Sequence, residues 1–495
     1  MAGVTRSIAW GLWLISLGAS ACAQPQPSRA LPPSTEPESH AAAPLPPLAP
    51  ACAQTRVDSP EPIHAPPTSA DAETLVINVV GDIGYPSHWA GGAGIDAAKA
   101  ELFAQVRPIL ATGDLNFANL ECPFTELRPT LRARWPISCP PVRLSYVLDA
   151  GFNLFSLANN HAFDAGVEGL VDTQRLLHEA NRPDRPLWWA GTGLTRALAR
   201  EPLLFTPPGK HERLAFLAVA NASPNGGVAS IYDEDLTERI RDAAKGADIV
   251  LVSVHGGTEW THKPTMAVEK RYRELVDAGA TVVIGHHPHV IQGVERYRQG
   301  LIIYSLGNFS FGFLQSVLVD KGWRLYSLMG RLTFHPHELA QVELIPCYAD
   351  NQHDWTLGQQ TLLARHVTPQ LLAGPFAQAV LDELDRFTAA IDSAQPTHLV
   401  RLGDRDFVDL GGSTSTLAAP GALIDQQTRE YQGVLAHGMQ PRPATAAELA
   451  EPAMPPAEIR DVPRSPLTDF TGGAIWDVAP SVARRVLPGV VEQKP

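Results

Sequence analysis

Apolar residues in the middle of this chain fall into short runs, and each run ends in polar groups. Leu75 to Val80 is apolar and β-branched except at Asn78, and it stops at Gly81-Asp82. Leu115 to Leu120 stops at Glu121, Asn153 to Leu157 at Ala-Asn-Asn-His, Ile249 to Val254 at His255, and Thr281 to Ile284 at Gly-His-His-Pro-His. Consecutive apolar positions over such lengths predict strands buried on both faces. Between them the spacing becomes helical. Val167, Leu170, Val171 and Leu177 share a face, as do Leu236, Ile240, Ala243 and Ala244; a third stripe, Val268, Tyr272, Leu275 and Val276, is stopped by Gly279 in a C-cap position. Strand and helix in alternation imply parallel pairing through crossovers, and ligands of such sheets gather beyond the carboxyl ends of the strands. The polar clusters should therefore converge although they are far apart in sequence. Later, Leu325 to Phe334 and Gln341 to Ile345 read as strands, and 369 to 391 as a helix.

Outside this region the periodicity disappears. Many of the 44 prolines lie before Asp71 or after Gln440, among Ala, Glu, Thr and Ser. Such segments have too little apolar surface to offset the entropy of ordering them. The organisation expected is a signal over 1–22, a Pro-rich linker over 23–72, one α/β domain over 73–392, and a low-complexity, mostly disordered tail over 393–495 that begins with a short strand pair. The formal net charge of −13 excludes a nucleic-acid binder built on a basic stripe. It does not decide about an anionic polymer, because a bound divalent cation reverses the local field.

The first residues have the parts of an export signal: Arg6, an apolar core from Ile8 to Leu17 and the small residues Ala19-Ser20-Ala21 before Cys22. The core is short for a spanning helix. Export with a lipid on Cys22, the Pro-rich segment serving as spacer at the cell envelope, is the preferred reading. Plain cleavage with release to the periplasm or medium is the other. Of the remaining cysteines, Cys122 and Cys139 either close a short loop as a disulfide, leaving Cys347 unpaired, or all three are isolated buried thiols; Cys52 lies in the linker.

A hydrolytic pair of divalent ions needs about three ligands per ion from carboxylate, amide oxygen and imidazole, with a carboxylate bridging the two. The strand ends offer Asp82, Glu121, Asn160, His255, His287 and His289, with His161 beside Asn160. Taken singly, each reads as a turn residue or an ordinary hydrogen-bonded histidine. Ligand-type residues after every one of these separate strands point instead to a site.

Val-Val-Gly-Asp (79–82), Asn-Leu-Glu (119–121), Leu-Ala-Asn-Asn-His-Ala-Phe-Asp-Ala-Gly (157–166), Val-His-Gly-Gly-Thr-Glu-Trp (254–260), Gly-His-His-Pro-His-Val (285–290) and Tyr-Ser-Leu-Gly-Asn-Phe (304–309) occur in this order. The series resembles that of the CapA-type capsule and poly-γ-glutamate synthesis proteins, a branch of the calcineurin-like metallophosphoesterases. The resemblance implies a layered α/β/β/α metallophosphoesterase-like sandwich and a role in making, exporting or anchoring an extracellular polymer. It also implies one or two divalent ions, Mn, Fe or Zn. Carried over by position, Asp82 and His289 hold the first ion, Glu121 bridges, and Asn160, His255 and His287 hold the second; His161 protonates the leaving oxygen. Asn119 and Glu259 would orient ligands, although Glu259 reads equally as a solvated loop carboxylate. His286 would be spare or supporting, Asn308 would fix its loop or touch substrate, and Trp260 would line the pocket or fill core.

One departure stands out. Where the superfamily has Asp-x-His, this chain has Asp82-Ile83-Gly84, so the first ion loses an imidazole; His88 either substitutes or is a free surface residue. The implied partners are an anionic polymer or phosphoester substrate, a polymer-synthase membrane complex, and the membrane itself through a lipid or signal anchor, with no nucleic acid. The leading expectation is metal-dependent hydrolysis or transfer. Its rivals are a non-catalytic anchored scaffold and a secreted phosphatase unrelated to capsule.

Overall fold

In the computed structural model the described residues are 73–410, except 87–94, 97–98, 100–101, 130–135, 222–226, 313–325, 350–352 and 366–367, together with 442 and 443. The expected signal, linker, Cys22, Cys52, His88 and most of the tail lie outside them. Along the chain run β1 (Leu75–Gly84), α1 (Arg107–Leu110), β2 (Leu115–Leu120), α2 (Pro141–Ala150), β3 (Leu154–Ser156), α3 (Gly166–Ala180), β4 (Trp188–Ala190), α4 (Arg196–Arg200), β5 (Leu203–Phe205) and β6 (Leu214–Ala220). Then come α5 (Leu236–Ala244), β7 (Ile249–His255), α6 (Met266–Asp277), β8 (Val282–His286), β9 (Val294–Tyr297), β10 (Gly300–Ile303), β11 (Asn308–Phe311), β12 (Tyr326–Phe334) and β13 (Leu339–Tyr348). The last are β14 (Trp355–Leu357), β15 (Gln360–Leu362), β16 (Gln370–Leu371), α7 (Gly374–Ala389), β17 (Leu399–Leu402), β18 (Arg405–Val408) and β19 (Arg442–Pro443).

The strands form two main sheets. The ten-stranded sheet has the order β17-β18-β13-β12-β1-β2-β3-β4, with β11 on β1 and β16 on β13; the six-stranded sheet is β5-β6-β7-β8-β10-β9. The pairs β1/β2, β2/β3, β3/β4, β6/β7 and β7/β8 are parallel, as crossover helices require. Period-two alternation sorts the side chains into layers. Ile77, Val79, Leu115 and Phe117 meet Ile249, Leu251, Val282 and Ile284 in one cluster between the sheets. Ala118 and Leu120 pack outward with Leu110, Leu144 and Leu177, residues of α1, α2 and α3. Val250, Val252 and Val283 pack outward with Ile240 of α5 and Leu275 of α6. The architecture is thus helix, sheet, sheet, helix. Asn78, which interrupts the first apolar run, belongs to a buried ladder: its Nδ2 donates to Asn116 Oδ1 at 2.8 Å and Arg331 donates to its Oδ1 at 3.1 Å.

Two boundaries differ from expectation. The helix expected from 369 starts at Gly374, because Gln370 and Leu371 pair with β13 instead. Beyond 392 the strand pair β17–β18 joins the larger sheet through β18 on β13, Glu343 opposite Phe407. A polar feature ties α7 to the strand-end loops: His262 stacks on Phe387 at 4.4 Å and its Nδ1 lies 2.9 Å from the Ile291 carbonyl. Burial pushes this imidazole down to about 4. The unfolded chain, with an ordinary value near 6.5, therefore takes up the proton first. Stability from this group is complete above about pH 6.5 and falls as the pH drops toward 4, by on the order of 3 kcal/mol. Denaturant titrations of wild type and His262→Phe over that range should show a pH dependence shallower in the variant by this amount; identical slopes would refute the assignment.

Candidate metal centre

The carboxyl ends of β1, β2, β3, β7 and β8 meet at one edge of the two sheets. Asp82 reaches the site through a bulge. Pairing of β1 shifts register between Val79 and Asp82 on the β2 side and between Asp82 and Ile83 on the β11 side. Val79 lies in the inter-sheet cluster, whereas Val80 and Ile83 both belong to the outer one, so the alternation changes phase and turns Asp82 inward. Gly81 makes this possible. A Cβ there would lie 1.7 Å from the Gly307 carbonyl oxygen, which accepts the Asp82 N–H at 3.1 Å.

Around Asp82 the donors and acceptors interlock. Asn119 Nδ2 donates to Asp82 Oδ1 at 2.8 Å and lies 3.2 Å from His255 Nδ1. His286 Nδ1 is 3.4 Å from Asp82 Oδ1, and His289 Nδ1 is 3.5 Å from Oδ2. On the other side His255 Nε2 lies 2.9 Å from Asn160 Oδ1, 3.1 Å from His287 Nδ1 and 3.4 Å from Glu121 Oε1. Asn308 Oδ1 holds His289 Nδ1 at 2.8 Å, which directs Nε2 toward Glu121 Oε1, 3.7 Å away. Such a partner on the far ring nitrogen orients a ligand imidazole. His287 and His289 adopt left-handed backbone at φ 94° and 59°, a costly conformation for residues with a Cβ and one that accumulates at functional sites.

Glu121 has zero exposure, and among the described residues neither of its oxygens has a hydrogen-bond partner. Leaving a buried carboxylate unpaired is expensive. Asn160 Oδ1, His255 Nε2, His287 Nδ1 and Glu121 Oε1 lie together, a ligand-type set that a cation would complete. Three donor groups, each with ligand atoms within 4.8 Å of one another, overlap here: Asp82, Glu121 and His289; Glu121, His255 and His287; and Glu259, His287 and His289. Glu121 is common to the two buried groups. These residue types and their spacing suit divalent cations, which Asp82, Glu121, His255, His287 and His289 would hold. His286, buried with Nδ1 facing Asp82 Oδ1 at 3.4 Å, lies in none of these groups.

Electrostatics follow from this crowding. Burial raises Asp82, but His286 and His289 outweigh it and hold the carboxyl well below the usual range. Glu121 goes the other way, pushed well up by burial and then by the charge of Asp82. Burial, with the charge of neighbouring imidazoles, holds His255 well below its ordinary value and His287 at about 4, so both present lone pairs at neutral pH. Burial also disfavours charged His289, but Asp82 more than compensates and raises it.

His161 stands at the rim, 14% exposed, with Nε2 4.0 Å from Glu121 Oε1. Its Nδ1 is 2.6 Å from Asp164 Oδ2, which also accepts the Ile137 N–H at 2.7 Å. In the sequence Asp164 reads only as part of a turn. Its position three residues after His161 is the signal that could have shown it as the partner holding the ring. Asn159 likewise carries no separate signal; its Nδ2 donates to the Leu120 carbonyl at 2.8 Å and its Oδ1 accepts the His161 N–H at 3.1 Å. Cys122, next to Glu121, forms a disulfide with Cys139, leaving Cys347 a free buried thiol. Trp260 lines the site, its ring 5.0 Å from that of His289. At position 84, where the resemblance would place a histidine, a Cβ would meet the Phe311 ring at 2.7 Å, so that space is taken.

Residues 76–312 match the family described as bacterial capsule synthesis protein PGA_cap. The chain is 32% identical over 278 residues to the capsule biosynthesis protein CapA of Bacillus anthracis, covering 52% of this chain and 63% of that one. It is also 32% identical over 232 residues to the PGA biosynthesis protein CapA of Bacillus subtilis, covering 45% and 57%. Over residues 76–312 the chain is similar to the CapA-type family. The chain spans under two thirds of the length of these curated relatives. A probable polyglutamine synthesis accessory protein of Mycobacterium tuberculosis is 29% identical over 172 residues, 31% of this chain and 43% of that one. A hypothetical protein from Thermus thermophilus aligns in structure at a TM-score of 0.35 and 18% identity over 55% of this chain and 98% of its own, too low to bear on the fold. The helix, sheet, sheet, helix layering agrees with the α/β/β/α sandwich expected from the sequence. Among the described residues no helix is long and apolar enough to cross a membrane.

Proposed function

We propose that this domain is a metal-dependent hydrolase or transferase acting at the cell envelope during assembly or anchoring of an anionic capsule polymer of the poly-γ-glutamate kind. The observation that carries this reading is Glu121, a buried carboxylate without a hydrogen-bond donor among the described residues, ringed by Asp82, Asn160, His255, His287 and His289. Divalent ions bound there would lower the pKa of water and neutralise charge on a polarised phosphoryl or acyl group. The protein's own residues do the rest. Asn119 and Asn308 orient imidazoles, and His161, held by Asp164, offers Nε2 beside Glu121 as the proton donor to the leaving oxygen.

Export suits the Cys122–Cys139 disulfide, which persists in oxidising compartments. Retention by a lipid on Cys22 and contact with a polymer-synthase complex are parts of the same proposal. A non-catalytic scaffold is favoured by one observation, the Phe311 ring filling the space beside Gly84. Metal analysis of the purified protein, followed by assay on phosphoesters and peptide-like polymers, separates the readings. Bound Mn, Fe or Zn with turnover is expected. Metal without turnover on any substrate would favour the scaffold, and no metal under any condition would remove the centre.

A further inference from the structure

One carboxylate at this edge lies outside the buried pair. Glu259 is exposed, on the loop that follows β7. The loop takes left-handed backbone at Gly257 and at Trp260, φ 112° and 61°, and the Trp260 N–H donates to the Pro288 carbonyl at 2.9 Å. That bond clamps it to the turn whose flanking residues, His287 and His289, are themselves left-handed. Two separate loops thus spend backbone strain to bring one carboxylate and two imidazoles to within 4.8 Å of one another.

Resting on the metal-centre reading above, we propose that Glu259 is the entry ligand of the site, capturing a divalent ion with His287 and His289 before the ion passes to the buried positions. His287 also belongs with Glu121 and His255, and His289 with Asp82 and Glu121. The outer group thus shares both of its imidazoles with the inner ones. The inner ligands Asp82, Glu121 and His255 are almost wholly buried, and an ion reaching them must shed its water. Glu259 offers a half-hydrated intermediate position, and Glu121, unpartnered behind it, supplies the drive inward.

The test is Zn²⁺ transfer from a chromophoric chelator to metal-free full-length protein, followed by stopped flow and by final metal content, for wild type and Glu259→Gln. Uptake by the variant should slow by about 10-fold or more, comparable to the loss when a metal's supporting partner is removed. The slowing should persist at high salt, and final content should equal wild type. Matching melts of the two metal-free proteins would show an unaltered fold. Wild-type uptake rates in the variant would overturn the proposal, as would a deficit that vanishes at high salt, which marks simple steering by charge. A lowered final content would make Glu259 a resident ligand and overturn the entry role. No uptake by wild type would overturn this proposal together with the centre itself.

Discussion

Replacing Glu121 by Gln should stabilise the metal-free protein and abolish the stabilisation that divalent metal gives the wild type. Without an ion, the Glu121 carboxylate is either charged with no donor or protonated against its ordinary preference, and both states cost free energy. The Gln amide supplies a donor among acceptors, with His255 Nε2 3.4 Å and His289 Nε2 3.7 Å from the Oε1 position. Relief of about 1–3 kcal/mol is expected in the presence of a chelator. With metal the sign reverses. Wild type gains about 2.7 kcal/mol at a hundredfold excess over its Kd, and a variant without the bridging carboxylate gains little. Thermal melts with chelator and with Mn²⁺ or Zn²⁺ test both halves. If Glu121→Gln melts lower than wild type in chelator and keeps the metal shift, Glu121 is a structural residue and the centre is misassigned.

The second large effect belongs to His161. His161→Ala should retain metal, since the buried donor groups do not include it, and should lower kcat on an activated phosphoester by about 10²–10⁴-fold with little change in KM. Asp164→Ala should approach the same loss by freeing the ring, and should also leave metal content intact. Asp164→Asn, which retains an acceptor, should lose less. Loss of metal in His161→Ala would place it among the ligands instead, and full activity would leave proton donation to water.

Much of this was legible in the chain itself, for a definite reason. Strands buried on both faces must be continuously apolar, and crossover helices must show a stripe, so the pattern from Leu75 to Ile284 prescribes parallel sheets. Parallel sheets bring their carboxyl ends to one edge, which is why Asp82, Glu121, Asn160, His161, His255, His287 and His289 stand out as one candidate set in the sequence. Segments whose pattern is ambiguous fared differently. Residues 370 and 371 read as helix until pairing with β13 claimed them, and 399–408 read as the start of a tail until β18 found β13. Short edge strands carry little pattern of their own; their state is decided by the partner.

What the sequence by itself determined was therefore the strands and helices, their parallel pairing and the residue types delivered to the common edge, with the layers implied by the family resemblance. Only the tertiary structure decided which way those residues face. Asp82 points inward because β1 slips register against both β2 and β11, and that slip depends on Gly81 meeting Gly307, more than two hundred residues later. Asp164 holds His161 because Ile137, from a segment tied by the Cys122–Cys139 disulfide, fixes its carboxylate. Glu259 is brought to two imidazoles because the Trp260 N–H reaches the Pro288 carbonyl. Periodicity records the burial of a side chain, which is a local average, whereas aim depends on single contacts between distant segments that leave no period in the sequence.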